Sequence, residues 1–342
     1  MSTQTAPPGE RDSAPDSSRH PVAMVIYGIV AALVISTATY FSFASASTGR
    51  DVRSNVTLIA PAGAGGGWDT FMREMQQAMR TNGITNNSQV VNIPGAGGTI
   101  GLGQLSTMSG QANVLMVTGT GLVGSIDLLD SAVTHDNVRP IARVVEEYNA
   151  VVVPADSPYQ TLDDLVAAWK ANPSGTPWVS GGTFDELVLT DLATKAGVDT
   201  RNMTVIPKSG GGEVTQALIT HTGVAATSGY KDVADQIEGG RLRALALTAP
   251  QRFAGSSIPT ARELGYDVTL ANWRAIVAPP GITDEEFETL RQVVHETVQT
   301  PEWRDAIARN QWTDVYLDGP QFEQWFGEEE ARIGELVGRM NK

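Results

Sequence analysis

Val56-Thr-Leu-Ile-Ala-Pro-Ala-Gly-Ala-Gly-Gly-Gly-Trp-Asp-Thr70 is the stretch from which the fold is read. Its first five residues are apolar or β-branched and predict a strand. Pro61 ends that strand, and Gly63, Gly65, Gly66 and Gly67 allow backbone angles that a side chain forbids. Asp69 is then the expected N-cap of a helix whose inner face is Met72, Met75 and Met79. Such a turn can offer backbone N–H groups and the positive end of a helix to an anion. It can equally be a tight turn that binds nothing.

The pattern repeats along the chain. Gln89–Ile93 predicts a second strand, running into the glycine loop Pro94–Gly101, and Asn113–Thr118 a third, ending in Gly119-Thr-Gly-Leu-Val-Gly124. Strand, glycine loop and helix in succession predict an α/β fold with a mostly parallel sheet, in which ligands sit at the carboxyl ends of the strands. Arg139–Pro154 holds two apolar runs in quick succession and marks a crossing into a second lobe. There Ser180-Gly-Gly-Thr183 and Lys208-Ser-Gly-Gly-Gly212 again precede helices, with Thr183 and Glu186 spaced as a capping box. Val268–Ala278 carries the chain back, with Trp273 either in the core or walling a cleft. A tail helix from about Pro320 is expected to pack on the first lobe. The division is therefore 47–147 with 270–342 in one lobe and 148–269 in the other, with a ligand cleft between them.

Composition narrows the chemistry. The 342-residue chain has a net charge of −14, which argues against a nucleic-acid partner, and no cysteine, which excludes disulfides, thiolate metal sites and a cysteine nucleophile. His20, His135, His221 and His295 have no metal-ligand spacing. No metal or cofactor is expected. Gly119-x-Gly121-x-x-Gly124 formally meets the dinucleotide fingerprint, with Glu146 or Glu147 as the ribose acid, and keeps a nucleotide-dependent enzyme open as the alternative. It follows the third strand rather than the first. Asp163-Asp164 and Glu285-Glu286 read as acids in first helical turns. Residues 1–20 are polar and Val22–Phe43 apolar, followed by Ala44-Ser-Ala46. A signal peptide cut after Ala46 is expected, or an uncleaved anchor, so that 1–46 is leader and the rest extracytoplasmic.

The segments Ile59–Asp69, Asn92–Gly101, Gly240-Arg-Leu-Arg-Ala-Leu-Ala246, Pro259-Thr260 and Glu263-Leu-Gly-Tyr266, taken together, resemble the substrate-binding receptors of tripartite tricarboxylate transporters, or Bug receptors. The resemblance runs from about Val56 to the C-terminus. It implies a two-lobed, type II periplasmic binding protein-like fold, with a mixed sheet flanked by helices in each lobe and two crossover strands. It further implies a non-enzymatic receptor that takes a small di- or tricarboxylate, with citrate the first guess, and hands it to membrane permease subunits. The implied ligand-binding residues are Ala62, Gly63, Ala64, Gly65, Gly66, Gly67, Trp68 and Asp69 in the first loop and Thr118, Gly119 and Thr120 in the third. The second lobe adds Ser180, Gly181, Gly182, Thr183, Ser209, Gly210 and Gly211, with Trp273 at the return crossing. Trp68 replaces the threonine usual before the aspartate and looks like the tricarboxylate branch. A sensor subunit reporting to a membrane kinase would use the same receptor, and a monomer is the expected state.

Overall fold

The computed structural model describes residues 52–340. The leader, the apolar span and the cleavage signal lie outside the described residues. Among the described residues, no helix is long and apolar enough to cross a membrane.

Eleven strands are described: β1 (Val56–Ala60), β2 (Ser88–Asn92), β3 (Val114–Gly119), β4 (Arg139–Glu147), β5 (Asn149–Pro154), β6 (Trp178–Ser180), β7 (Val205–Pro207), β8 (Ala225–Gly229), β9 (Leu242–Leu247), β10 (Asn272–Ala278) and β11 (Thr313–Asp318). They form two mixed sheets, ordered β11-β4-β10-β3-β1-β2 and β7-β6-β8-β5-β9. In the first, β1 pairs parallel with β2 and β3, while β10 inserts antiparallel between β3 and β4. In the second, β6 pairs parallel with β7 and β8, while β5 inserts antiparallel between β8 and β9. The two sheets thus share one topology, β2-β1-β3-β10-β4 matching β7-β6-β8-β5-β9. The inserted strand of each is the one that crosses over from the other lobe.

Ten α-helices accompany them: α1 (Gly67–Thr81), α2 (Thr99–Thr107), α3 (Thr120–Leu128), α4 (Leu162–Ala171), α5 (Thr183–Ala196), α6 (Gly211–Ile219), α7 (Tyr230–Glu238), α8 (Asp284–Val298), α9 (Pro301–Asn310) and α10 (Gly319–Met340). Local sequence explains most of their limits. Thr161 and Thr283 each form the reciprocal capping box with an acid three residues on, Asp164 and Glu286. Gly197 ends α5 in the left-handed region (φ 71°), where glycine carries no Cβ penalty. Met72, Met75 and Met79 are fully buried, as their spacing predicts.

The tail differs from expectation. One apolar cluster contains Val123 of α3, Leu187 of α5, Trp273 of β10 and Phe322, Ile333 and Leu336 of α10, so the last helix packs on both lobes. A Cβ at Gly124 would lie 2.9 Å from Leu187 and 3.7 Å from Ile333, which shows how closely α3, α5 and α10 meet. Ser125 of α3 and Thr183 of α5 add a hydroxyl pair at 2.9 Å across the same seam.

Candidate functional site

The carboxyl ends of β1, β3, β6 and β8 and the loops that follow them gather where the chain crosses between lobes, at Glu147–Asn149 and Ala271–Trp273. The site is built from these loops.

In the first loop Gly63, Ala64, Gly65 and Gly67 are exposed, Ala62, Gly66 and Trp68 half-buried, and Asp69 buried. Gly65 takes φ 82°, a conformation that favours glycine. The helix starts earlier than expected: Gly66 is the N-cap, with no side-chain cap, and Asp69 stands at the third helical position. From there it reaches back. Gly65 N–H donates to Asp69 Oδ2 (2.8 Å), Arg73 Nε donates to the same oxygen (2.9 Å) and Asn92 Nδ2 to Oδ1 (2.9 Å). Burial alone would raise this carboxyl, but Arg73, the Gly65 amide and Asn92 together hold it below its ordinary range. Asp69 is therefore a loop lock rather than a cap, its oxygens already engaged by three donors. The amides at the very start of α1 have no intrahelical partner.

Trp68 is the wall that Trp273 is not. Its ring lies 2.9 Å from where a Cβ at Gly98 would stand, and its Nε1 3.5 Å from that of Gly119, so three loops of the first lobe meet on one indole. Trp273 is fully buried, its indole N–H donating to Glu329 (3.2 Å) and its ring packed edge-on against Trp325 and Phe326. The expectation that it lines the cleft is corrected, because its position on β10 turns it toward α10.

The hydroxyls of the third loop are also turned inward. Thr120 Oγ1 donates to Ala271 O (2.7 Å) and accepts from Trp273 N–H (3.2 Å). Thr118 Oγ1 lies 2.7 Å from His135 Nε2, and His135 Nδ1 2.9 Å from Glu330. Hydroxyl, imidazole and carboxylate in series resemble a nucleophile with its base, but Thr118 is fully buried, so the chain of contacts is a strut under the loop. Thr118, Gly119 and Thr120 can offer backbone only. Gly121 and Gly124 of the fingerprint face Phe184, Leu187 and Thr183, where they make room for α5.

The second lobe repeats the loop lock. Gly181 N–H donates to Asp185 Oδ2 (2.8 Å), and Ser209 N–H to Glu213 (3.1 Å). Both acids stand at the third position of their helices, whose N-caps are Gly182 and Gly210. The capping box expected from Thr183 and Glu186 is absent: Thr183 is the first helical residue and its hydroxyl turns to Ser125. Ser180, fully buried, closes its own loop onto Gly182. Gly181, Gly210 and Gly211 pack close together, with a Cβ at Gly181 only 3.1 Å from Gly210 and one at Gly211 2.5 Å from Asp232.

Sequence reasoning missed the charged residues between these loops. Arg274 of β10 is 3% exposed and pairs through Nη2 with Glu147, which also accepts from Asn272 Nδ2 (2.9 Å). Its Nε and Nη1 have no partner among the described residues. The guanidinium lies directly beneath Gly67, 2.8 Å from where a Cβ would stand, with the Trp312 ring 5.1 Å away. Glu147 offsets the Arg274 charge, but two guanidinium nitrogens without partners and the start of a helix converge behind the first loop and favour an anion there. The one signal in sequence is an arginine inside the mostly apolar run Leu270–Ala278, where Asn272 is the other polar residue. Asp185 and Asn149 were likewise overlooked: Asn149 Nδ2 donates to Asp185 Oδ1 (2.7 Å).

A family described as the tripartite tricarboxylate transporter family receptor, TctC, matches residues 71–342. The chain belongs to this family. It is 33% identical over 196 residues to a UPF0065 protein of Cupriavidus necator, covering 55% of this chain and 58% of that protein. It is 26% identical to the protein BugT of Bordetella pertussis, over 82% of this chain and 88% of that one. A solved TctC solute-binding protein from Polaromonas, without ligand, superposes with a TM-score of 0.67 at 26% identity, over 84% of this chain and 98% of that one. MatC of Rhodopseudomonas palustris, solved with bound malate, shares the fold with a TM-score of 0.71 at 21% identity, over 83% and 99%. As a TctC receptor the chain has the fold of substrate-binding receptors.

Proposed function

We propose that this TctC receptor works outside the cytoplasmic membrane, captures a small organic di- or tricarboxylate between its lobes and delivers it to transporter permease subunits. Lobe 1 consists of residues 47–147 and 270–342 and lobe 2 of 148–269. The observation that carries the reading is the first loop. Exposed amides at the start of α1 stand over the buried Arg274 guanidinium, a positive face within a chain of net charge −14. The family description and a fold neighbour holding malate support the ligand class. A carboxylate end meets the first loop and the far end meets the loops at Ser180–Thr183 and Ser209–Gly211. Closure follows as a shift in population driven by contacts to both lobes. The protein acts without catalysis and as a monomer.

Calorimetric titration of the ligand-stripped protein against citrate, malate, succinate and adipate tests this directly. One-to-one binding of at least one of them is expected, and Gly67→Val, which drives a branched side chain into Arg274, should abolish it. Retained affinity in that variant would remove the first loop from the site.

A further inference from the structure

The two lobes share a topology, so their equivalent positions can be compared one for one. Arg274 pairs with Gly119, the last residue of β3, and Asn149 pairs with Gly229, the last residue of β8. The cation of lobe 1 is thus replaced by a neutral amide in lobe 2. The third position of the helix that follows is Leu122 in α3 and Asp232 in α7. An apolar residue of lobe 1 is thus replaced by an acid in lobe 2.

Asp232 is exposed, stands against Gly211 and Gly229, and accepts no hydrogen bond among the described residues. Asn149 gives a second, independent sign. It is 1% exposed, and its Nδ2 is committed to the Asp185 carboxylate, which fixes the amide and leaves Oδ1 a buried acceptor with no donor. Asp232 keeps surface open to solvent, yet the groups packed around its carboxyl displace enough water to raise it above its ordinary range; the Glu147 charge adds to this, and Arg274 and Lys231 offset it only in part. Glu147 is itself held by Arg274. At Asp232 and Asn149 this wall therefore holds acceptors that no donor meets, and Arg274 and Lys231 only partly balance its negative charge.

We infer that the ligand carries an ammonium group as well as its carboxylates, the carboxylate meeting the first loop of lobe 1 and the ammonium meeting Asp232, with Asn149 and Asp185 behind it. The inference rests on the receptor reading above and narrows its substrate class to amino dicarboxylates, ahead of citrate. An ammonium brings three donors and one positive charge to those unmet acceptors.

Succinate, L-malate and L-aspartate differ by hydrogen, hydroxyl or ammonium at one carbon, and glutarate and L-glutamate repeat the comparison one carbon longer. Titrated into the ligand-stripped protein, the better-fitting amino acid should bind at least tenfold more tightly than its deaminated partner, with malate between succinate and aspartate. Asp232→Asn, a change at a residue that makes no hydrogen bond among the described residues, should erase that preference and leave succinate or glutarate binding unchanged or tighter. Equal affinity for the members of each pair, malate as the tightest ligand, or a preference that survives Asp232→Asn would overturn the inference while leaving the receptor standing. Silence from all five and from citrate would remove the receptor reading and this inference with it.

Discussion

The two lobes run the same strand order and lock their first glycine loop in the same way, yet they hold opposite charge. In lobe 1 the locking acid Asp69 is bound by Arg73 and Asn92, and a buried arginine lies behind the loop. In lobe 2 the equivalent Asp185 has only Asn149 and one backbone amide, and burial pushes its carboxyl up to about 7. Glu186 is raised as well, first by burial. The lesson is that a shared backbone motif fixes where a loop stands, while the residues beneath it decide the sign of what it attracts. Helix starts alone would make both lobes anion sites.

Removing the cation of lobe 1 is the strongest way to break this contrast. Arg274→Met leaves Glu147 without its partner and should cost about 4 kcal/mol in urea denaturation, much of it restored by adding Glu147→Gln. A variant as stable as the parent would show that the pair is not structural. Next comes the proton on Asp185. With its folded pKa lifted from 3.8 to about 7, the folded chain keeps a proton that the unfolded chain releases between those values. Its stabilisation is full below the unfolded value and is lost as pH rises through the folded one. Stability should fall by about 3 kcal/mol between about pH 5 and about pH 8, and Asp185→Asn should flatten that slope. Asp69 must behave in the opposite sense. Its carboxyl is held low, so its contribution is present at neutral pH and lost as pH falls below the ordinary carboxylate range. Asp69→Ala should cost about 2 kcal/mol at neutral pH and make acid unfolding less steep. If Asp69 and Asp185 gave pH slopes of the same sign, the contrast between the lobes would fail. The smallest effect is expected at the seam, where Ser125→Ala removes the hydroxyl contact to Thr183 and should cost about 1 kcal/mol in thermal unfolding.

Much of the architecture could be read from sequence because the signals are local. Apolar runs bounded by glycine located most strands, and the methionine face of α1 and the capping boxes at Thr161 and Thr283 stand where their spacing puts them. The errors are also local. Asp69 and Thr183 were each expected to open a helix that a glycine opens instead: an acid at the third helical position locks the loop by accepting the amide just before the N-cap, Gly65 for Asp69 and Gly181 for Asp185, and residue type and spacing alone do not separate that role from capping. What sequence could not supply was strand register. Arg274 lies beneath Gly67, 207 positions away in the chain, only because β10 pairs with the end of β3. Trp273 and Arg274 are neighbours that face opposite sides of that sheet, and nothing in the run Leu270–Ala278 says which side is the cleft. The opposition of Arg274 and Asn149, or of Leu122 and Asp232, becomes visible only once the sheets are aligned.

The insertion of β10 between β3 and β4 also sets an order of assembly. Strands β3 and β4 follow one another in the chain yet never pair, because the place between them belongs to residues 272–278. Lobe 2 has every strand of its sheet once residue 247 has been made, whereas the sheet of lobe 1 lacks an interior strand until after residue 272. The lobe that begins first in the chain is therefore the last that can finish, and its unpaired β3 and β4 edges must wait through the synthesis of the whole second lobe. Such long-range closure slows folding and leaves strand edges open to wrong partners, which makes β10 the segment on which correct maturation turns.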